Sequence, residues 1–351
     1  LGVQAGTGGS ARAALALAAT ALTCGLLAGC GSPARGAASQ SLTLYSGQHP
    51  QTTDQLVAAF EKRTGITVNV RSDDEDVLAD QIATEASRSP ADVFYTENSP
   101  PLAFLQEKGL LAGVRPAALA ATPAKYNSPR GDWVGVSARV SVLIYNPARI
   151  ARSQLPTSVM QLAAPRYDGQ LALAPGETDF QPIITSVLRS HGRAATLRWL
   201  AGLKANEKGH TYPDSETIAS DVNRGLAGFG VINQYYWYRM RSQVGAAGMH
   251  ARLAFFAPRD PGYVIDVCGA AVLRSSTHRA AAQKFVAFLV SRQAQEIIGG
   301  HSASYEYPVA AGVTTAAPQT PLRDLRPDPI SVGALGDGSA AIALLVQAGL
   351  L

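Results

Sequence analysis

The chain is expected to fold as an α/β protein of two lobes, each a mixed sheet flanked by helices, joined by crossing strands. Three features of its 351 residues carry that expectation. From residue 41 onward, short β-like runs alternate with amphipathic helical ones, the β-α-β-α-β order of a parallel sheet covered by helices. Two long apolar runs, 135–146 and 262–273, stand far apart, as strands that leave one lobe and later return to it would. The composition, 46% hydrophobic and 16% charged, is that of a folded chain long enough for two domains.

Each element follows from its local pattern. "SLTLYSG" (41–47) alternates as a strand does and ends at Gly47. In "TTDQLVAAFEKRTG" (52–65), Thr52 or Thr53 caps a helix, Leu56, Ala59 and Phe60 share a face, and Gly65 supplies a left-handed stop. "ITVNVRS" (66–72) is the next strand, "DEDVLADQIATEASR" (74–88) a second amphipathic helix, and "ADVFYT" (91–96) a third strand. "GVSARVSVLIYN" (135–146) is a long strand, followed by "TSVMQLAAPRYDGQLALA" (157–174) and the helical "QPIITSVLRSHG" (181–192) and "AATLRWLAGLKAN" (194–206). "GYVIDVCGAAVL" (262–273) returns as a strand, and "RAAAQKFVAFLVSRQAQEIIGG" (279–300) reads as one helix stopped by glycines.

The first 29 residues stand apart. Up to Gly29 the only charge is Arg12, and an apolar stretch follows it, the layout of an export signal. "LAGC" (27–30) resembles the end of a bacterial lipoprotein signal, which implies cleavage before Cys30 and a lipid on its thiol. That places the protein outside the cell, anchored to the outer face of the cytoplasmic membrane or held in the periplasm, with 30–41 as a flexible tether. Of the three cysteines, Cys24 falls in the signal and Cys30 at the lipid site. Cys268 alone remains, so neither an internal disulfide nor a thiolate metal site is expected, and its apolar run marks it as a buried small residue. A net charge of +4 without a Lys/Arg block gives no reason to expect nucleic acid.

Ligands of open α/β sheets bind beyond the carboxyl ends of strands. There this chain presents His49 after "SLTLYSG", Glu97 after "ADVFYT", and Tyr235 and Tyr236 after "AGFGVI". Phenolate and carboxylate are hard oxygen donors, imidazole is borderline, and ferric iron suits the set. A bound cation of high charge displaces a phenol proton that otherwise leaves near pH 10. Adjacent strand residues face opposite ways, so both tyrosines reach one metal only if the chain bends there, at a strand-to-helix turn. The acidic "RSDDEDVLAD" (71–80) lacks the glycine turn of a calcium loop and reads as a solvated helix start.

"LYSGQHPQTTDQLVAAFEKRTGITVNV", "PADVFYTENSPPLAFLQEKGLLAGV" and "VINQYYWYRM" resemble the periplasmic ferric-ion-binding proteins of ABC iron importers, and the likeness runs from about Leu42 to the C-terminus. The resemblance implies a type II periplasmic-binding-protein fold, hinged by crossing strands, that closes on Fe(III) and delivers it to a permease and ATPase complex. It divides the chain into an N-lobe, 42–140 with 262–312, and a C-lobe, 141–261 with 313–351. It carries the metal-ligand roles onto His49, Glu97, Tyr235 and Tyr236, with Tyr238 either packing or supporting the ligands from behind. Members often add a synergistic anion; "PGETDFQP" (175–182) and Asp214 depart from the phosphate-binding pattern, because Glu177 and Asp179 would repel phosphate. Asn98, Arg139 and Asn233 are the expected anion contacts, for a carbonate-like anion rather than phosphate. A monomeric binding protein, not an enzyme, is implied, loaded by ferric iron or a ferric chelate. No nucleophile elbow, Walker loop or zinc-protease motif is present. A receptor of the same fold for thiamine, a phosphonate or a polyamine is the alternative.

Overall fold

The computed structural model describes residues 40–300 and 304–351. The expected signal (1–29), the lipid site Cys30 and nearly all of the tether (30–41) lie outside the described residues.

The chain runs β1 (Ser41–Ser46), α1 (Pro50–Thr64), β2 (Thr67–Ser72), α2 (Glu75–Glu85), β3 (Val93–Tyr95), α3 (Pro100–Glu107), β4 (Leu111–Ala112), α4 (Pro116–Leu119) and β5 (Trp133–Tyr145). It continues through β6 (Leu171–Ala172), α5 (Gln181–Glu207), α6 (Ser215–Arg224), β7 (Phe229–Asn233), α7 (Gln234–Val244), β8 (Arg252–Ala254), β9 (Ile265–Leu273), α8 (Arg279–Leu289), α9 (Arg292–Ile298), β10 (Tyr307–Pro308) and α10 (Ser339–Ala348).

The main strands lie in the order β2-β1-β3-β9-β5-β7-β6. β1 is parallel to β2 and β3, β6 is parallel to β7, and β9 and β5 run antiparallel to their neighbours, so the sheet is mixed. β5 is buried along its whole length, which is why it reads as a continuous apolar run. It pairs with β9 from Trp133 to Val140 and with β7 from Ser141 to Tyr145. Arg139 therefore stands where one half of the sheet hands over to the other. One face of the first half packs on α1 and α8, where Phe60 meets Phe285 edge-on at 5.0 Å. The second half buries Tyr167, Trp199 and Phe229 beneath α5 and the loops before β6.

Two expectations meet the structure differently, and two are met. Gly65 ends α1 in the left-handed region (φ 68°), as expected. The helix begins at Pro50, however, earlier than the threonines: the backbone N–H groups of Thr52 and Thr53 both donate to the His49 carbonyl. Proline's fixed φ suits the first helical position, and Thr53 Oγ1 instead meets Ser46 Oγ at 2.8 Å. The run 279–300 is two helices, because Ser291 interrupts it and accepts the Ala294 N–H as a new N-cap. Within 181–207, Gly192 at φ 75° separates the two helical stretches the pattern indicates.

Candidate metal centre

The site begins at Gly47, where β1 ends. A Cβ there would lie 2.4 Å from Glu75 Cβ, so glycine is what lets α2 approach. Glu75, the first residue of α2, accepts the backbone N–H groups of Glu97 and Asn98 on Oε2 at 2.6 and 2.9 Å. The loop after β3 is thereby held beside the loop after β1. On the other half of the sheet, β7 passes directly into α7. Asn233 is still extended, and Tyr235 and Tyr236 fall in the first helical turn. This is the bend that two adjacent residues need to face one point.

The four side chains converge. His49 Nε2 lies 2.9 Å from Glu97 Oε1 and 3.2 Å from the Tyr235 hydroxyl. The Tyr235 hydroxyl donates to Glu97 Oε2 at 3.4 Å. The ring of Tyr236 is 4.1 Å from that of Tyr235 and 5.8 Å from that of His49, centre to centre. Its hydroxyl donates to Glu177 Oε1 at 3.2 Å. Among the described residues, no group of three His, Cys, Asp or Glu is placed to hold a metal, so the phenols complete the donor set.

Two guanidinium groups stand behind the rings. Arg139, fully buried, has its carbon 4.8 Å from the centre of the Tyr235 ring, and Arg239 sits 5.2 and 5.8 Å from the Tyr235 and Tyr236 rings. Arg139 Nη1 reaches Glu97, Asp179 and the Tyr235 hydroxyl at 3.3 to 3.4 Å. Its Nη2 binds Glu306 and Cys268. Arg239 Nη1 pairs with Glu216 at 2.6 Å.

These contacts set the charge states. Burial alone would raise Glu97, but the charges of His49 and then Arg139 overcome it and bring its carboxyl down to about 2. Burial, with Glu97 and Asp179 nearby, pushes Tyr235 well up, and burial with Asp179 and Glu177 does the same to Tyr236. Glu177 is raised by burial and by Asp179, and Glu75 to about 8 by burial and Glu97. The site thus collects more acid than it can ionise without a cation, the situation that a bound metal reverses.

The sequence and fold have known counterparts. The model of the family described as bacterial extracellular solute-binding protein matches residues 88–327. The Fe(3+)-binding periplasmic protein of Serratia marcescens is 35% identical over 314 residues, 90% of this chain and 92% of that one. The chain belongs to the periplasmic ferric-ion-binding proteins of that solute-binding family. The major ferric iron-binding protein of Neisseria meningitidis is likewise 35% identical, over 311 residues covering 88% of this chain and 93% of that protein. The crystal structure of iron-bound HitA from Pseudomonas aeruginosa superposes with a TM-score of 0.85 at 39% identity, spanning 88% of this chain and 99% of that one. The solute-binding family is a class of carriers rather than enzymes, and its ferric-binding members share the two-lobed fold. Among the described residues no helix is long and apolar enough to cross a membrane.

Several details of this ferric-binding chain were not read from its sequence. The 71–80 segment is more than a solvated helix start: Glu75 is buried because its carboxylate is the acceptor for the Glu97 loop. Cys268 is buried as expected, yet its neighbours are polar, with Arg139 Nη2 at 2.7 Å and Gln48 Nε2 at 3.0 Å. Asn98 faces the centre, but its amide donates to Glu75, Thr178 and Asp179. Asn233, also buried, borders the small space lined by Glu177 and Asp179. Tyr238 turns away and donates to the Pro318 carbonyl. Arg239 and Glu306 were missed. Only the spacing of Arg239, three and four residues after the tyrosines, carried a local signal.

Proposed function

We propose that this protein captures Fe(III) between the two halves of its sheet, with His49, Glu97, Tyr235 and Tyr236 as ligands, and delivers it to an ABC importer. The observation that carries the proposal is the convergence of an imidazole, a carboxylate and two phenols from three separate strand ends. Two phenolates and Glu97 supply three negative charges for a trivalent ion, and neutral His49 adds a fourth donor. Glu177, beside the Tyr236 hydroxyl, supplies a further oxygen from the protein itself. Arg139 and Asn98 are engaged with protein carboxylates, so in this proposal Glu177 takes the place of an external carbonate-like anion. The likeness to Fe(3+)-binding periplasmic proteins favours iron over a thiamine, phosphonate or polyamine receptor of the same fold.

The proposal includes two lobes, 42–140 with 262–312 and 141–261 with 313–351. The change of partner along β5 between Val140 and Ser141 supports that division. It also includes a lipid on Cys30 that keeps a monomer at the membrane surface, near the importer's permease and ATPase. The test is a ferric titration of iron-free protein in buffer stripped of carbonate and phosphate. A visible phenolate-to-iron band, saturating at one iron per chain, is the expected result. No band from any ferric source would refute the iron site, and a band only after bicarbonate is added would restore the external anion.

A further inference from the structure

The cleft leading to the centre has a volume of about 540 Å³, and eight carboxylate side chains line it. Among the described residues no lysine or arginine does so, although the whole chain is net basic at +4. Asp73, Asp74 and Asp76 form one wall at the start of α2, and Asp214 and Glu216 form the facing wall at the start of α6. Arg139 and Arg239 stand behind the tyrosine rings and are paired with Glu97, Asp179, Glu306 and Glu216. Deeper in, Asp179 lines a small space beside Glu177, and its buried Oδ2 has no hydrogen-bond partner. The two walls feel each other: Asp74 is raised by partial burial and by the charges of Asp76, Asp73, Glu97 and Asp214.

Resting on the proposed iron site, we infer that this cleft takes ferric iron as a cation, or from a cationic complex, and turns away anionic ferric chelates. A concave wall of one sign over a low-dielectric base focuses the field, concentrating ions of opposite charge and depleting those of like charge. Ferric iron held by excess citrate is an anion, and no lysine or arginine in the described lining receives it. The same iron as a bis-acetohydroxamate complex is a monocation and is drawn in. The chelator is then left outside, and the buried phenols and carboxylates receive the bare ion.

The test compares rates of iron loading by stopped-flow absorbance, using the full chain. Ferric bis-acetohydroxamate and ferric citrate are offered to the parent and to a variant with Asp73→Asn, Asp74→Asn and Asp76→Asn together. These three side chains are exposed and none is a proposed ligand, and Asp76, which accepts the Val77 N–H, keeps its acceptor as Asn. The variant is expected to load roughly ten-fold faster from citrate and several-fold slower from the cationic complex. Added salt should slow cationic loading of the parent and speed its loading from citrate. Equal rates for parent and variant from both donors would overturn the inference, as would faster loading of the parent from citrate than from the cation. The final band intensity separates the two claims. If both proteins reach the same band, the iron site stands whatever the rates show; if neither develops one, the iron site fails and this inference falls with it.

Discussion

Tyr235 and Tyr236 bear most of the iron assignment, because buried phenols beside acids are costly unless something draws off their protons. Each phenol is held well above its ordinary pKa, first by burial and then by neighbouring carboxylates. Removal of either hydroxyl leaves the ring packing against its arginine and deletes one donor oxygen. Mutations that merely disturb the support of a metal ligand typically cost about 10–100-fold in affinity. Tyr235→Phe or Tyr236→Phe should therefore weaken ferric binding by roughly 100-fold or more and shift or abolish the visible band, with an unchanged melting temperature for the iron-free protein. Retention of full affinity and colour in both variants would make the tyrosines packing residues. Glu75 presents a different residue-scale effect. Its carboxyl is raised to about 8 from an ordinary 4.5 by burial and by Glu97, although three N–H bonds pull the other way. An acid whose folded pKa is raised lends stability that is complete below about 4.5 and is lost as pH climbs through about 8. Unfolding of the iron-free protein by denaturant should show a decline of up to a few kcal/mol across that window, shallower in Glu75→Gln. Parallel pH profiles for the two proteins would dismiss this account of Glu75.

At the scale of elements, the centre depends on how closely α2 lies against the turn after β1. Gly47 leaves no room for a side chain there, since Glu75 Cβ would be 2.4 Å from an added Cβ. Gly47→Ala must push α2 outward, and with it the carboxylate that holds the Glu97 loop. Overpacking of this kind costs about 1–3 kcal/mol, and this variant is expected to lose ferric affinity as well as stability. A variant with ordinary thermal stability and parental affinity would show that the loop is held by other contacts. The same comparison explains what the sequence could and could not disclose. His49, Glu97, Tyr235 and Tyr236 were legible because the strand runs before them are short, apolar and clearly ended, and ligands gather at such ends. The β7–α7 bend was legible because two neighbours in a strand cannot face one point. Glu75 was misread because an acidic helix start looks solvated until another loop is laid across it. Glu306 and the polar surroundings of Cys268 arise from a contact spanning 167 residues from Arg139 to Glu306, which no local pattern records. The helix break at Ser291 was hidden because the apolar spacing continues through it.

For the molecule as a whole, the crowding of acid around the proposed centre should make iron a conformational signal. The described structure joins the two halves of the sheet directly: Asn98 donates to Asp179 at 2.9 Å, and His49 and Glu97 meet Tyr235. Glu97 comes from the first half, and Glu177, Asp179 and the tyrosines from the second. Burial and mutual repulsion raise both Glu177 and Asp179, so bringing the halves together without a cation requires these acids to take up protons. At the proposed site a trivalent ion would remove that penalty and make bonds that neither half can make alone, and so favour the closed form by its differential contacts. The covalent links suit such a movement. β5 crosses once between the halves, and beside it Ser141 N–H donates to the Val264 carbonyl just before β9. Two neighbouring extended segments offer a common line about which the halves can flex. Small-angle scattering at neutral pH should show the iron-free protein more extended than the iron-loaded one. The Tyr235→Phe, Tyr236→Phe double variant should stay extended when iron is added. Acidification of the iron-free protein should by itself draw the halves together, because protons then do part of the metal's work on Glu177 and Asp179. A radius that responds to neither iron nor protons would separate binding from closure and place the centre in a preformed, rigid cleft.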